Sequence, residues 1–166
     1  YLGQMTGKVE LPESMIQPGI PEWAVYGDEK HRGNLICSIE LNEVDLEKHN
    51  VHINEKYDEM TNNEQRADLF RCDDAETIIV ACNTPARMAK GAVQALREKG
   101  MKVGLFRPIT LWPFPIDLLK PMMHKIGRFV VVEASNGQLE DELRLALSKN
   151  HMECPPIDHV RHFGGI

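Results

Sequence analysis

Apolar and polar positions change their rhythm near residue 73. Beyond it, short apolar runs alternate with segments of helical spacing. Thr77–Ala81 (TIIVA), Lys102–Phe106 (KVGLF) and Arg128–Val132 (RFVVV) read as strands, and Ile157–Phe163 as a fourth. Between them, Pro85–Lys99 reads as a helix with proline in its first turn and Gly100 as its stop. Phe114–Lys125 reads as a partial helix, broken before Pro121, and Gln138–Lys149 as an amphipathic helix with Leu139, Leu143 and Leu147 in line. Runs such as TIIVA and RFVVV are apolar throughout, as strands covered on both faces require. The pattern predicts an α/β fold: an open, mostly parallel sheet with helices on both faces.

The front of the chain lacks this order. Pro12, Pro18, Gly19, Pro21, Gly27 and Gly33 punctuate residues 1–38, as in a connector laid over a surface. Asn42 is placed to cap a helix, with Glu43 and Asp45 in its first turn. The following stretch, to about Arg71, has neither proline nor glycine. Leu46, Ile53, Tyr57, Met60 and Ala67 fall near one face, interrupted by Asn50 and Glu64. Such a thin stripe serves either docking on a partner or packing on the chain's own domain.

Composition narrows the class. In 166 residues, 42% are apolar and 27% charged, with a net charge of −6, which is ordinary for a globular domain. No face collects lysine and arginine as a nucleic-acid surface would. No apolar run approaches the ~18 residues of a membrane span, and no stretch of this sequence reads as a basic start with an apolar core, as a secretory signal would. The four cysteines, Cys37, Cys72, Cys82 and Cys154, form no CxxC pair. Reduced thiols in a cytoplasmic protein are expected. The first residues, Tyr1-Leu-Gly-Gln-Met5, read as the end of something longer.

In an open parallel sheet, chemistry sits beyond the carboxyl ends of the strands. Cys82-Asn83-Thr84-Pro85 leads into a helix there. Asn83 and Thr84 are candidates for an anion site, or simply for a helix cap. Arg107 could clamp an anion or bridge to a facing chain. Glu133, beside Asn136, is a plausible ion-pair partner for Arg107, and a structural pair is the preferred reading. His49 and His52 lie one turn apart without a third ligand, and His159 and His162 face opposite ways in a strand. Ser14, Ser38, Ser135 and Ser148 lack a nucleophile-elbow setting. No catalytic constellation and no metal site are assigned.

Three segments carry a family resemblance. Gly104–Pro115 (GLFRPITLWPFP), Phe129–Glu133 (FVVVE) and Asn136-Gly137-Gln138 resemble the transketolase C-terminal-like domain of 2-oxoacid:ferredoxin oxidoreductase alpha subunits. Phe163-Gly164-Gly165 is similar to the glycine pair that closes that domain. Tyr1–Met5 with Val9–Pro12 resembles the exit of a preceding thiamine-diphosphate (pyrimidine) domain. Leu35–Ser38, Asp45–Asn50, Glu55–Tyr57 and Asn63-Glu64 resemble the linker of the branched-chain, 2-oxoisovalerate (3-methyl-2-oxobutanoate) enzymes.

The resemblance implies a division into 1–12 (tail of the pyrimidine domain), 13–74 (linker with the long helix) and 75–166 (transketolase C-terminal-like domain). It implies oxidative decarboxylation of a 2-oxoacid with coenzyme A, giving acyl-coenzyme A, carbon dioxide and reduced ferredoxin. Thiamine diphosphate with Mg and the iron–sulfur clusters would belong to the full complex, none held by this stretch. The implied partners are beta, gamma and ferredoxin-like subunits, with ferredoxin as acceptor. Arg107, Trp112, Pro113, Phe114 and Glu133 would then organise domain and subunit packing. Two alternatives stand: the C-terminal domain of a transketolase or 2-oxoacid dehydrogenase beta subunit, and a stand-alone anion-binding regulatory module.

Overall fold

The computed structural model describes residues 10, 11, 13 and 19–163. Expectations placed on Tyr1–Met5, Val9, Pro12, Ser14, Pro18 and the closing Gly164-Gly165 lie outside these residues. Two compact units divide between Glu55 and Lys56, inside a long helix.

The second unit is built on a five-stranded sheet in the order β1-β3-β2-β4-β5. Its strands are β1 (Ala67–Phe70), β2 (Thr77–Val80), β3 (Val103–Pro108), β4 (Arg128–Glu133) and β5 (Ile157–Arg161). β2, β3, β4 and β5 pair in parallel, and β1 runs antiparallel to β3. Helices α2 (Asn83–Glu98) and α3 (Gln138–Lys149) lie on opposite faces. Ala86, Ala89 and Val93 of α2 pack on Ile79, Ala81, Val103 and Leu105. Leu139, Leu143 and Leu147 of α3 pack on Ile78, Val80, Phe106, Phe129 and Val131. The period of two in the strands and the spacing of Leu139, Leu143 and Leu147 dictate this layering. The open, mostly parallel α/β sheet is the architecture the sequence predicts.

Three details differ from expectation. The long helix, α1, covers Glu43–Asn63 and stops well short of Arg71. Asn42 caps it as expected, its Oδ1 accepting from the N–H groups of Val44 and Asp45 at 3.0 and 3.3 Å. At the other end, Thr61, Asn63 and Gln65 side chains donate to carbonyls four residues back. Ala67–Phe70 then takes strand geometry because β3 offers it a ladder, and pairing overrides helical propensity. Second, Phe114–Lys125 forms two 3-10 turns, Ile116–Leu118 and Lys120–Lys125. Pro115 and Pro121 each lack the N–H that a longer helix needs. Third, β5 ends at Arg161, before His162 and Phe163.

Gly104 shows how closely the layers meet. A Cβ there would stand 2.8 Å from the Arg71 carbonyl oxygen and 2.9 Å from Cys72 Sγ. Cys72 lies against the strand, its thiol donating to the Leu105 carbonyl at 3.2 Å. Burial pushes that thiol up to about 11. All four cysteines are free.

In the first unit, a turn over residues 21–34 is tied by Asn34 Nδ2, which donates to the carbonyls of Glu22 and Ala24. His31 is buried within it, its N–H and ring Nδ1 both on the Asp28 carboxylate at 2.8 and 2.7 Å. No residue of α1 is buried. No helix among the described residues is long and apolar enough to cross a membrane.

Candidate functional site

The chain steps from β2 to β3 on one side and then to β4 on the other. The carboxyl ends of β2 and β4 therefore flank the point where the winding reverses, the place where open α/β sheets form a crevice. Cys82–Thr84 leave β2 there, and Glu133–Gly137 leave β4.

Cys82, extended at φ −124° and ψ 168°, occupies the cap position of α2 without a side-chain cap bond. Asn83 follows at φ +52°, so Asn83 and Thr84 stand in the first turn and neither is the cap residue. Burial raises the Cys82 thiol above its ordinary value, and the Glu133 carboxylate adds to this, with the Arg107 guanidinium opposing.

Arg107 and Glu133 do not pair as the sequence suggested. Arg107 Nη1 donates to Asp68 Oδ2 at 2.6 Å, across the β1–β3 pair that sets Asp68 opposite Arg107. Both side chains are about half exposed, so the pair contributes at most about 1 kcal/mol. Asp68 was hidden from sequence reasoning because its segment carried a helical pattern.

Glu133 is engaged on the other side of the sheet, with its side chain only 3% exposed. Its Oε2 accepts from the Leu139 N–H at 3.1 Å and from the Ser135 hydroxyl. A carboxylate six residues upstream thereby closes the start of α3, where the helix dipole favours negative charge. Its Oε1 faces Arg161 Nε at 4.0 Å. Arg161 Nη2 continues to Glu140 at 2.8 Å, and Arg144 grips Glu140 with Nε and Nη2 at 2.9 and 2.7 Å. His159 Nδ1 lies 3.5 Å from the same carboxylate. Gly137, at φ +105°, leaves room for Arg161: a Cβ would stand 2.7 Å from its Nη2. Neither Arg161 nor Glu140 was singled out from sequence, since only the β4–β5 register brings Arg161 opposite Glu133.

This cluster carries a pH expectation. Burial pushes the Glu140 carboxyl up, but hydrogen bonds from Arg144 and Arg161 and their charges outweigh it, leaving it below its ordinary 4.5. A depressed folded value means stabilisation that is present above about pH 4.5 and lost as pH falls through the folded value. Chemical denaturation between pH 7 and 3 should show stability falling below pH 4.5, with a shallower fall in Glu140→Gln.

The Trp112–Pro115 corner is divided. Pro113, Phe114 and Pro115 are buried, and the Phe114 ring lies 6.1 Å from that of Phe106. The Trp112–Pro113 peptide is cis. Trp112 stays 57% exposed, with its ring edge-on to Tyr57 of α1 at 5.2 Å. Gln65 ties the corner to α1, its Oε1 accepting from the Asp117 N–H and its Nε2 donating to Asp117 Oδ2. Of the five residues assigned to packing, Arg107 and Trp112 reach the surface, Pro113 and Phe114 are buried in the corner, and Glu133 is buried at the start of α3. No three His, Cys, Asp or Glu side chains among the described residues gather to ligate a metal.

Comparison with known proteins gives this geometry a family. Residues 75–166 match pyruvate:ferredoxin oxidoreductase core domain II. The chain is 37% identical over 166 residues to the ketoisovalerate oxidoreductase subunit VorB of Methanothermobacter thermautotrophicus, covering 99% of this chain and 46% of that protein. It is 45% identical over 76 residues to the 2-oxoglutarate synthase subunit KorA of Methanocaldococcus jannaschii, covering 46% of this chain and 20% of that one. Among solved structures, the 2-oxoglutarate:ferredoxin oxidoreductase of Magnetococcus marinus superposes with a TM-score of 0.62 at 19% identity, over 76% of this chain and 22% of that one. That likeness is one of fold. The chain spans about half the length of the curated relatives it matches end to end. By the domain matched over more than half its length and by relatives aligned along nearly all of it, the chain belongs to the 2-oxoacid:ferredoxin oxidoreductase subunit family.

Proposed function

We propose that the chain is the later part of an alpha subunit of a cytoplasmic 2-oxoacid:ferredoxin oxidoreductase acting on branched-chain 2-oxoacids. The complex would convert 2-oxoisovalerate, coenzyme A and oxidised ferredoxin into the acyl-coenzyme A, carbon dioxide and reduced ferredoxin. One observation carries the substrate branch. Similarity to the ketoisovalerate oxidoreductase subunit runs through the turn-rich front and the long helix, whereas similarity to the 2-oxoglutarate synthase subunits covers about half the chain. Thiamine diphosphate, when bound in the complex, supplies the carbanion chemistry, and iron–sulfur clusters take electrons singly. The family resemblance supports assigning the chemistry to the pyrimidine domain and to the beta, gamma and ferredoxin-like subunits.

This portion organises the assembly. Arg107 and Trp112 project from a sheet edge stiffened by Pro108, Pro113 and Pro115. Rigid aromatic and proline side chains lose little entropy on docking. Arg107→Ala and Trp112→Ala are expected to weaken subunit assembly, read by analytical ultracentrifugation, while turnover per assembled complex stays within about twofold. Assembly that proceeds normally with lost turnover at saturating substrate would overturn that role. The substrate is tested by viologen reduction with the purified complex. Turnover should favour 2-oxoisovalerate over 2-oxoglutarate and pyruvate, and a preference for 2-oxoglutarate refutes the branched-chain reading.

A further inference from the structure

Among its described residues, the first unit carries an apolar belt and no buried apolar side chain. Between Trp23 and Leu41, the side chains of Trp23, Tyr26, Leu35, Ile36, Ile39 and Leu41 are exposed, Leu35 and Leu41 to 85% and 91%. His31 is the single buried residue among those described from Gly19 to Glu55. Scattered apolar residues on a surface are ordinary, but this many large exposed ones between residues 23 and 41 are a concentration of the kind that marks interaction surfaces. The belt nevertheless has definite local structure: the Asn34 tie, the Cys37 thiol donating to the Ile39 carbonyl at 3.1 Å, and the Asn42 cap. It continues into the first turns of α1, where Val44 and Leu46 are also exposed. Helices without a packed face are marginal in water.

The occupant follows from size and charge. The curated relative aligned along the whole chain carries rather more than as much sequence again, since the chain spans 46% of it. The belt's flank is acidic, with Glu40, Glu43, Asp45 and Glu47 against Lys48. We infer that Trp23–Leu46 docks on the other half of the same polypeptide, against an apolar strip edged by lysine and arginine. Apolar side chains would supply the affinity, and the acidic flank the register. The inference rests on the reading that the chain is part of a longer subunit.

Cys37, exposed between Ile36 and Ile39, is a built-in reporter. The complete polypeptide, purified without other subunits, is treated with iodoacetamide, and labelling is followed by peptide mass spectrometry. Cys37 is expected to react at least tenfold more slowly than in the same polypeptide unfolded in urea. An Ile36→Asp/Leu41→Asp variant, whose changes lie outside both cores, should restore the fast rate. Lys30 should cross-link to lysines beyond these 166 residues. Unprotected Cys37 overturns the docking, as does protection that the double variant leaves intact. Cross-links from Lys30 confined to these 166 residues place the belt on its own chain and overturn the assigned occupant. Protection that arrives only with other subunits does the same in favour of a separate chain. The parent reading fails separately, through a native species of 18.9 kDa or a complex with no 2-oxoacid turnover. A complex that turns over 2-oxoisovalerate while Cys37 labels freely overturns the belt alone.

Discussion

Phe106→Ala should cost about 4 kcal/mol, the middle of the range for removing a fully buried aromatic ring. Phe106 is fully buried on β3, opposite Val80 of β2, with Phe114 beside it. Its loss opens a cavity lined by a strand and by the corner after Trp112, and neither can close it: the strand is held in a ladder on both edges and the corner by Pro113 and Pro115. In urea, a loss of this size moves the midpoint down by about 2 M at a slope near 2 kcal/mol/M. Phe106→Leu keeps most of the volume and should cost under about 1.5 kcal/mol. A loss below 1 kcal/mol for the alanine would mean that strand and corner are not packed as described.

Glu133→Ala is the second large effect, at about 3 kcal/mol. The carboxylate is almost wholly enclosed, so solvent does not screen it. Its removal leaves the Leu139 N–H and the Ser135 hydroxyl without their acceptor and takes the 4.0 Å carboxylate from Arg161 Nε, while Arg161 Nη2 keeps Glu140. Hydrogen bonds to charged groups contribute roughly 1.5–3 kcal/mol each, and an orphaned buried donor adds its own desolvation penalty. Glu133→Gln keeps an acceptor for the start of α3 but loses the charge, and about 1–1.5 kcal/mol is expected. Calorimetry should rank wild type, Gln and Ala in that order. Equal losses for Gln and Ala would show that the charge, and not the capping geometry, matters. Amide exchange at Leu139 should accelerate in the alanine variant.

What could be read ahead of the structure depended on whether a segment's partners were local. Thr77–Ala81 and Arg128–Val132 declare themselves because burial on both faces demands an unbroken apolar run. Leu139, Leu143 and Leu147 declare α3 because one face of a helix needs only its own spacing. Ala67–Phe70 does not. Its Asp68 and Leu69 are exposed, no glycine or proline sets it off from α1, and its strand character comes from β3, some forty residues later. Arg107 and Glu133 both stand near strand ends at the carboxyl edge, which is what suggests their pairing in the sequence. The side-chain directions across the sheet decide otherwise. Glu133 lies on the α3 face with Phe129 and Val131, and Arg107 meets Asp68 in the β1 register. The family resemblance, by contrast, rested on contiguous words such as GLFRPITLWPFP, which need no knowledge of pairing.

The single antiparallel strand has a mechanical consequence. β1 links α1 to the sheet, and its four residues lie side by side with Pro108 through Leu105. A pull on β1 along its own axis loads those rungs together with the Asp68–Arg107 bond, in shear, and does not peel them one at a time. Tension arriving through α1 would be passed to β3, and so to the stretch that ends in Arg107 and the Trp112 corner.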